Sequence, residues 1–290
     1  MMFVLLLFLF AGFLLPQEAP KPKEPAEEQI DFVCPMDPDV HQKSPGKCPR
    51  CGMKLVAGIP DPHEYPENLT VTPRNIHSGQ NATLAFEILD PKTRQRVRKF
   101  QLVHEKLFHL FIVKDDLSYF IHEHPTLGSD GIFRLDGVFP KPGAYRVLSD
   151  FYPDGGTPQI TAKTLLVPGA EPFPPVRLEP TFGPQRGANM EVELVTEPPQ
   201  PIAGAKTLLF FRIKPGEGLE PYLGAWGHML AASEDLIDMI HTHPFLADGG
   251  PQVQFNIIFP REGTYRLWVQ FQRKGVVNTV AFNVPVTALK

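Results

Sequence analysis

Three cysteines and two matched sets of histidines are the residues of this chain that could do chemistry. Cys34, Cys48 and Cys51 all fall in Asp31–Gly58, which reads DFVCPMDPDVHQKSPGKCPRCGMKLVAG. The segment Cys48-Pro-Arg-Cys51-Gly has the two-residue gap and the glycine of a metal knuckle, so both thiolates can face one ion. Cys34 lies 14 residues upstream and could supply a third thiolate. Met36 and Met53 add thioethers, and His41 adds an imidazole. Such donors favour Cu(I), Zn or other thiophilic ions over Mg or Ca. The competing reading is a redox-active CxxC, or one disulfide with a spare thiol. A segment of about 28 residues cannot build a hydrophobic core alone, so a metal staple is physically motivated.

The histidines recur. His109–Pro125 is HLFIVKDDLSYFIHEHP, and His228–Pro244 is HMLAASEDLIDMIHTHP. They align without a gap, and 7 of 17 positions are identical: three His, an Asp-Leu pair, an Ile and the Pro. Each copy carries H-x12-H-x-H-P. If Lys114–Leu117 is a four-residue hairpin loop, Val113 pairs with Ser118, Phe111 with Phe120 and His109 with His122. Opposed side chains share a face, and His124 lies two residues beyond His122 on that face. His109, His122 and His124 then form one candidate site. His228, His241 and His243 form a second, with Met239 on the same face. Three imidazoles suit Zn, Cu or Ni, and an added thioether tilts the second site toward copper. Neutral imidazole is the ligand, so affinity should fall as pH drops through about 6.5. The plain alternative is half-buried strand histidines, with the Pro merely ending a strand. His63, His77 and His104 have no counterpart in the repeat and read as surface residues. The methionines have a core-filler reading as well.

The elements that must position these groups are strands. The 290 residues include 33 Pro and 23 Gly, a load that argues against long helices. Apolar runs such as Ala82–Leu89, Leu107–Val113, Thr207–Ile213 and Thr264–Phe271 are broken by Pro, Gly, Asp and Asn. Phe139-Pro-Lys-Pro-Gly-Ala-Tyr145-Arg matches Phe259-Pro-Arg-Glu-Gly-Thr-Tyr265-Arg, which extends the repeat. The fold expected is mainly β: two tandem Ig-like, Greek-key β-sandwich domains behind a small metal-stapled Cys module. The boundaries expected are 1–17 for a signal peptide or anchor and 18–30 for a Pro/Glu linker. The Cys module follows at 31–58, then sandwiches at 60–168 and 176–290 joined by a linker at 169–175. The Gly-x-Tyr elements at Tyr145 and Tyr265 are similar to the tyrosine corner of Greek-key sandwiches.

The Cys segment resembles the short heavy-metal-binding domain near the N-termini of copper/silver efflux adaptors and some heavy-metal P-type ATPases. The shared pattern is C-P-M-x-P-x-V, a spacer, then P-G-K-C-P-x-C-G-M-x-L. Cys34, Pro35, Met36, Pro38, Val40, Pro45, Gly46, Lys47, Cys48, Pro49, Cys51, Gly52, Met53 and Leu55 carry it. The family usually has His after C-P-M, where this chain has Asp37. The resemblance implies heavy-metal homeostasis, with metal ions and a metal efflux or transport system as partners. The repeats resemble secreted bacterial proteins with H-L-x-V-x-x-x-D-L-x-x-x-x-H-x-H-P segments, a likeness that implies no reaction.

Met1–Leu15 (MMFVLLLFLFAGFLL) has no charge and is short for a membrane span, which needs about 20 apolar residues. It is expected to direct export, which places the rest in the periplasm or outside the cell. Membrane contact is expected only if this segment stays uncleaved. Formal charge is −4, with 28 basic and 32 acidic residues, so no basic field exists for nucleic acid.

No enzyme is expected. His-Thr-His-Pro resembles the start of the JAMM-type zinc metallopeptidase motif, but Gln252 and, in the first copy, Phe133 stand where that motif needs Ser. A blue-copper centre needs Cys among its ligands, and neither repeat has one. No nucleophile elbow or phosphate loop is present. The function expected is an exported heavy-metal protein, copper before zinc, for capture, buffering or resistance. The alternatives are a tandem-sandwich interaction or adhesion protein with metal only at the Cys module, and a His-only copper or zinc enzyme.

Overall fold

A computed structural model describes residues 31–33, 40–47, 55–58, 63–154, 156–169 and 177–289. They belong to two compact units, Met1–Asp61 and Pro62–Lys290. All regular structure among the described residues is β. No helix there is long and apolar enough to cross a membrane.

The first unit holds β1 (Asp31–Val33), β2 (His41–Gln42) and β3 (Val56–Gly58), paired antiparallel in the order β2-β1-β3. Among its described residues the core is Leu55 with Phe32 and Val40 against it. Those three apolar side chains bury far too little surface to offset the ordering of such a segment. Cys34, Met36, Cys48, Cys51 and Met53 lie outside the described residues, as do 1–17 and 18–30.

The second unit contains both repeats. The first runs β4 (Glu67–Thr72), β5 (Asn81–Ile88), β6 (Phe108–Lys114), β7 (Phe120–Glu123), β8 (Thr126–Leu127), β9 (Ile132–Val138), β10 (Gly143–Phe151) and β11 (Gln159–Val167). Its sheets are β4-β5-β9-β8 and β11-β10-β6-β7. The second runs β12 (Gln185–Arg186), β13 (Glu191–Glu197), β14 (Lys206–Lys214), β15 (Leu219–Glu220), β16 (His228–Ser233), β17 (Met239–Thr242), β18 (Pro244–Leu246), β19 (Gln252–Ile258), β20 (Gly263–Arg273) and β21 (Val276–Val286). Its sheets are β12-β13-β14-β19-β18 and β15-β20-β16-β17, with β21 also on β20. Each repeat is an Ig-like sandwich of two antiparallel sheets.

Alternation builds each sandwich. In β5, Ala82, Leu84, Phe86 and Ile88 point inward while their neighbours are partly exposed. β13 and β14 do the same with Val192, Leu194, Leu209, Phe211 and Ile213. The tyrosine corners are present. Tyr145 Oη donates to the Lys141 carbonyl at 2.8 Å. Tyr265 Oη lies 2.9 Å from Asp238 Oδ2 and 3.2 Å from the Arg261 carbonyl.

Two strands lose the alternation entirely. All seven residues of β6 and all six of β16 are buried. Phe108, Leu110 and Ile112 of β6 enter the core of the first sandwich, and Met229 and Ala231 of β16 enter that of the second. The other face of each strand is covered by the other repeat. There Phe111, Val113, Leu117 and Leu148 pack with Leu230, Ala232, Leu236 and Trp268. The Phe120 and Trp268 rings stack at 4.9 Å and 6° across this contact. The residues on the two sides are repeat equivalents, so the sandwiches meet through matching surfaces, as in an isologous dimer.

The hairpin register differs from the expected one. Phe111 pairs with His122 and Val113 with Phe120, while in the second repeat Leu230 pairs with His241 and Ala232 with Met239. The loop is therefore Asp115–Ser118, with Lys114 N–H donating to the Tyr119 carbonyl. Two local features set it there. Asp116 accepts the Ser118 N–H, and Leu117 takes a left-handed φ of 58° that buries its side chain between the repeats. A two-residue slip leaves every side chain on its expected face.

Candidate metal centre

The outward faces of the hairpins end in histidine. Along β6 the order is His109, Phe111, Val113, and along β16 it is His228, Leu230, Ala232. On β7 and β17, His122 and His241 follow Phe120 and Met239 with the same period of two. Packing the matching faces together seals the apolar end and brings the histidine ends into one buried cluster. One ring nitrogen from each of His109, His122, His228 and His241 lies within 4.8 Å of the others.

The outer nitrogen of each of these four rings is held by an oxygen. His109 Nε2 donates to the Val103 carbonyl at 2.9 Å, and His228 Nε2 donates to the Tyr222 carbonyl at 2.9 Å. His122 Nδ1 lies 2.7 Å from Gln270 Oε1, and His241 Nδ1 lies 2.7 Å from Asp150 Oδ2. The last two bonds cross between repeats. Asp150 and Gln270 occupy the same place in their copies, five residues after Tyr145 and Tyr265. Gln270 Nε2 donates to Thr279 Oγ1, which turns its oxygen toward His122. Val103 and Tyr222 also correspond. Each opens a tight turn with two left-handed residues, His104 and Glu105 in one copy, Leu223 and Gly224 in the other.

With the outer nitrogens protonated, the inner ones carry lone pairs. His109 Nδ1 and His122 Nε2 face each other at 3.1 Å, where two lone pairs repel unless a cation or proton lies between them. His241 Nε2 is buried without a hydrogen-bond partner among the described residues. His228 Nδ1 accepts from His243 Nε2 at 3.0 Å. An imidazole anchored through its far N–H to an oxygen is the arrangement that orients metal-ligating histidine and raises its basicity.

Burial favours the neutral, ligand form. It lowers the pKa of His109 to about 4, of His124 to about 3 and of His228 to about 3, with neighbouring imidazoles adding to the effect. His122, His243 and His104 are pushed the same way by burial. His109, His124 and His228 are thus neutral well below the pH of about 6.5 at which a free imidazole takes its proton.

The six histidines of the two expected trios therefore lie together. His124 packs against His109 and His122 at 4.9 and 4.7 Å, with its Nε2 buried and unpartnered among the described residues. His243 packs against His228 and His241 at 4.6 and 4.4 Å. Met239 is packed on the apolar cluster between the repeats. His41, in the first unit, is half-buried with Nδ1 unpartnered among the described residues.

Two expected surface residues need correction. His104 is half-buried and stacks on His243 at 3.6 Å, because the turn it sits in folds over the cluster. His63 is half-buried, its carbonyl accepting from Gln159. His77 is exposed as expected. Asp150, Gln270, Val103 and Tyr222 were not singled out from the sequence. The signal for the first two was their equal distance from the corner tyrosines.

No curated protein matches this chain. Among solved structures, it aligns with the Escherichia coli adhesin FdeC at 16% identity, covering 82% of this chain and 68% of that one, with a TM-score of 0.27. The Yersinia pseudotuberculosis adhesin InvE aligns at 11% identity over 75% of this chain and 58% of that one, with a TM-score of 0.25. A two-domain fibronectin type-III segment of chicken tenascin aligns at 10% identity over 77% of this chain and 99% of that one, with a TM-score of 0.24. Residues 32–57 match the heavy metal binding domain. Residues 64–168 and 186–288, more than half of the chain, match one family twice, and the protein belongs to that family, described as domain of unknown function DUF8832.

Proposed function

We propose that this protein is an exported heavy-metal-binding protein that captures or buffers copper or zinc. The observation that carries the reading is the buried histidine cluster, whose inner nitrogens converge while each outer nitrogen is anchored on oxygen. Surface histidines have no reason to be arranged this way, and histidines that only fill a core have no reason to face lone pair to lone pair. The match of residues 32–57 to the heavy metal binding domain supports a second, sulfur-rich station. Cys34, Cys48 and Cys51, with Met36, Met53 and His41, are its donors, and they suit Cu(I). The apolar run at Met1–Leu15 supports export, and a metal efflux or transport system is the partner in that setting. No reaction is assigned, because four protein donors on one ion leave no position for substrate.

The test is metal content of the purified full-length chain after copper and zinc titration. The parent should retain metal at both stations. C34S/C48S/C51S should lose one share, and H109A/H228A the other. A parent chain that holds neither metal would overturn the reading and favour a tandem-sandwich interaction protein.

A further inference from the structure

The geometry points to a single zinc ion, held tetrahedrally by His109, His122, His228 and His241, that joins the two sandwiches as a structural centre. This rests on the metal-binding reading and names the ion, its count and its role at the histidine cluster, which leaves capture and buffering to the cysteine station.

Coordination geometry follows from the ring positions. Four rings have six mutual separations, and here all six centroid distances lie between 5.3 and 5.9 Å. Four points so nearly equidistant form a tetrahedron. In a square plane, two of the six separations would exceed the others by a factor of about 1.4, the pattern that Cu(II) or Ni(II) prefers. A tetrahedral ion with nitrogens at about 2.0–2.1 Å sets ring centres about 5 Å and donor nitrogens about 3.3 Å apart; His109 Nδ1 and His122 Nε2 already stand at 3.1 Å, and the nitrogens set wider, up to 4.8 Å, close on the ion.

Tetrahedral geometry selects a d10 ion, Zn(II) or Cu(I). The donors then separate the two. Cu(I) follows thiolate and thioether, and the four-ring set has neither, since Met239 lies in the apolar layer. Neutral imidazole suits Zn(II), and the Asp150 carboxylate behind His241 offsets part of its second charge. Four protein ligands close the shell, which marks structural rather than catalytic zinc.

The remaining rings sit outside this tetrahedron. His124 lies beside the two ligands of the first sandwich and His243 beside the two of the second. His243 donates to the lone pair of His228 that zinc takes, so loading displaces that hydrogen bond. Two ligands come from each sandwich, so the ion ties together surfaces otherwise joined by the apolar layer.

The experiment uses full-length C34S/C48S/C51S, stripped of metal and titrated with Zn(II) alone, then with Co(II) as a spectroscopic substitute. One Zn(II) per chain is expected, with the intense visible bands of tetrahedral Co(II) and a rise in the unfolding midpoint on loading. H109A, H122A, H228A and H241A should each weaken zinc binding at least about 100-fold, H124A and H243A less than about 10-fold. The Co(II) spectrum is read on the chain with all its histidines, so it decides the geometry even if a variant misfolds. Two ions per chain, with His124 and His243 as essential as the rest, would overturn the shared centre in favour of two separate trios. A weak octahedral Co(II) spectrum would overturn the closed tetrahedron. No zinc uptake here, with metal still held by the parent chain, would overturn this inference and leave the metal-binding reading standing on the cysteine segment.

Discussion

Asp150 and His241 lie 91 positions apart, one in each sandwich, yet Asp150 Oδ2 is 2.7 Å from His241 Nδ1. The side chain of His241 is 1% exposed and that of Asp150 18%. The carboxylate fixes the tautomer, so the lone pair on Nε2 points into the cluster. Loss of such an outer partner typically lowers metal affinity about 10–100-fold. D150A is therefore expected to weaken zinc binding in that range. D150N keeps an acceptor oxygen but not the charge, and should fall between D150A and the parent. Isothermal titration of the three proteins checks the order. Equal affinity in all three would show that His241 is not held as a ligand.

Trp268 tests whether the contact between sandwiches builds the centre. The residue is 5% exposed and its ring stacks on Phe120 of the first repeat, with the Arg266 guanidinium 5.6 Å from the indole centre. Truncating a buried aromatic residue costs about 3–5 kcal/mol. W268A should lose stability of that order in denaturant unfolding. It should also weaken zinc binding, although Trp268 supplies no donor, because the two ligand pairs lose their common support. W268F retains a stacking ring and should recover most of both. A stable W268A with unchanged zinc affinity would show that the histidines converge independently of this layer.

The sandwiches were legible because alternation, turn residues and the repeat are local properties of the chain. The hydrophobic period of β5 and the Gly-x-Tyr corners state the fold in sequences of fewer than ten residues. The shared face of His109 and His122 was legible for the same reason, since a register wrong by two residues still puts side chains on the right side of the sheet. The joining of the two histidine sets was not legible, because it depends on one sandwich docking on the other. A trace of that docking was nonetheless written in the chain. His109–Val113 and Met229–Ala232 are apolar at nearly every position where a one-sided strand would alternate, which signals burial of both faces. The role of His104 was hidden for a different reason. Its counterpart is Leu223, so the repeat gave no cue, and its place over His243 is set by a left-handed turn that its sequence does not announce.

The two tyrosine corners should differ in strength. Tyr145 Oη donates to a neutral carbonyl, that of Lys141. Tyr265 Oη lies against the Asp238 carboxylate, which Arg261 also engages through Nε at 2.8 Å. A neutral hydrogen bond contributes about 1 kcal/mol and one to a charged group about 1.5–3 kcal/mol. Y145F should therefore cost about 1 kcal/mol and Y265F about 2 kcal/mol in denaturant unfolding of the metal-free chain. If Y145F proved the costlier of the two, the carboxylate would not be a significant partner of Tyr265.

Acid should unfold the metal-free sandwiches through the same histidines. Burial holds His109 at about 4, and His124 and His228 at about 3, while an unfolded chain protonates them near 6.5. Between those limits the unfolded state binds more protons than the native state, so stability falls as pH falls. Above about 7 all three are neutral in both states and contribute no slope. Each adds about 1.4 kcal/mol per pH unit below 6.5, and three together approach the whole stability of a typical domain within two or three units. The denaturant midpoint of metal-free protein should be flat from pH 8 to about 7 and then drop steeply toward pH 5. In H109A/H124A/H228A the drop should be shallower but not abolished, even if the starting midpoint is lower, because His122 and His243 remain and are pushed the same way by burial. Zinc should move the drop to lower pH, because an ion on the inner nitrogens competes with the protons that drive unfolding. A midpoint that rises on acidification would mean that these rings are charged in the folded protein, which is incompatible with their serving as ligands.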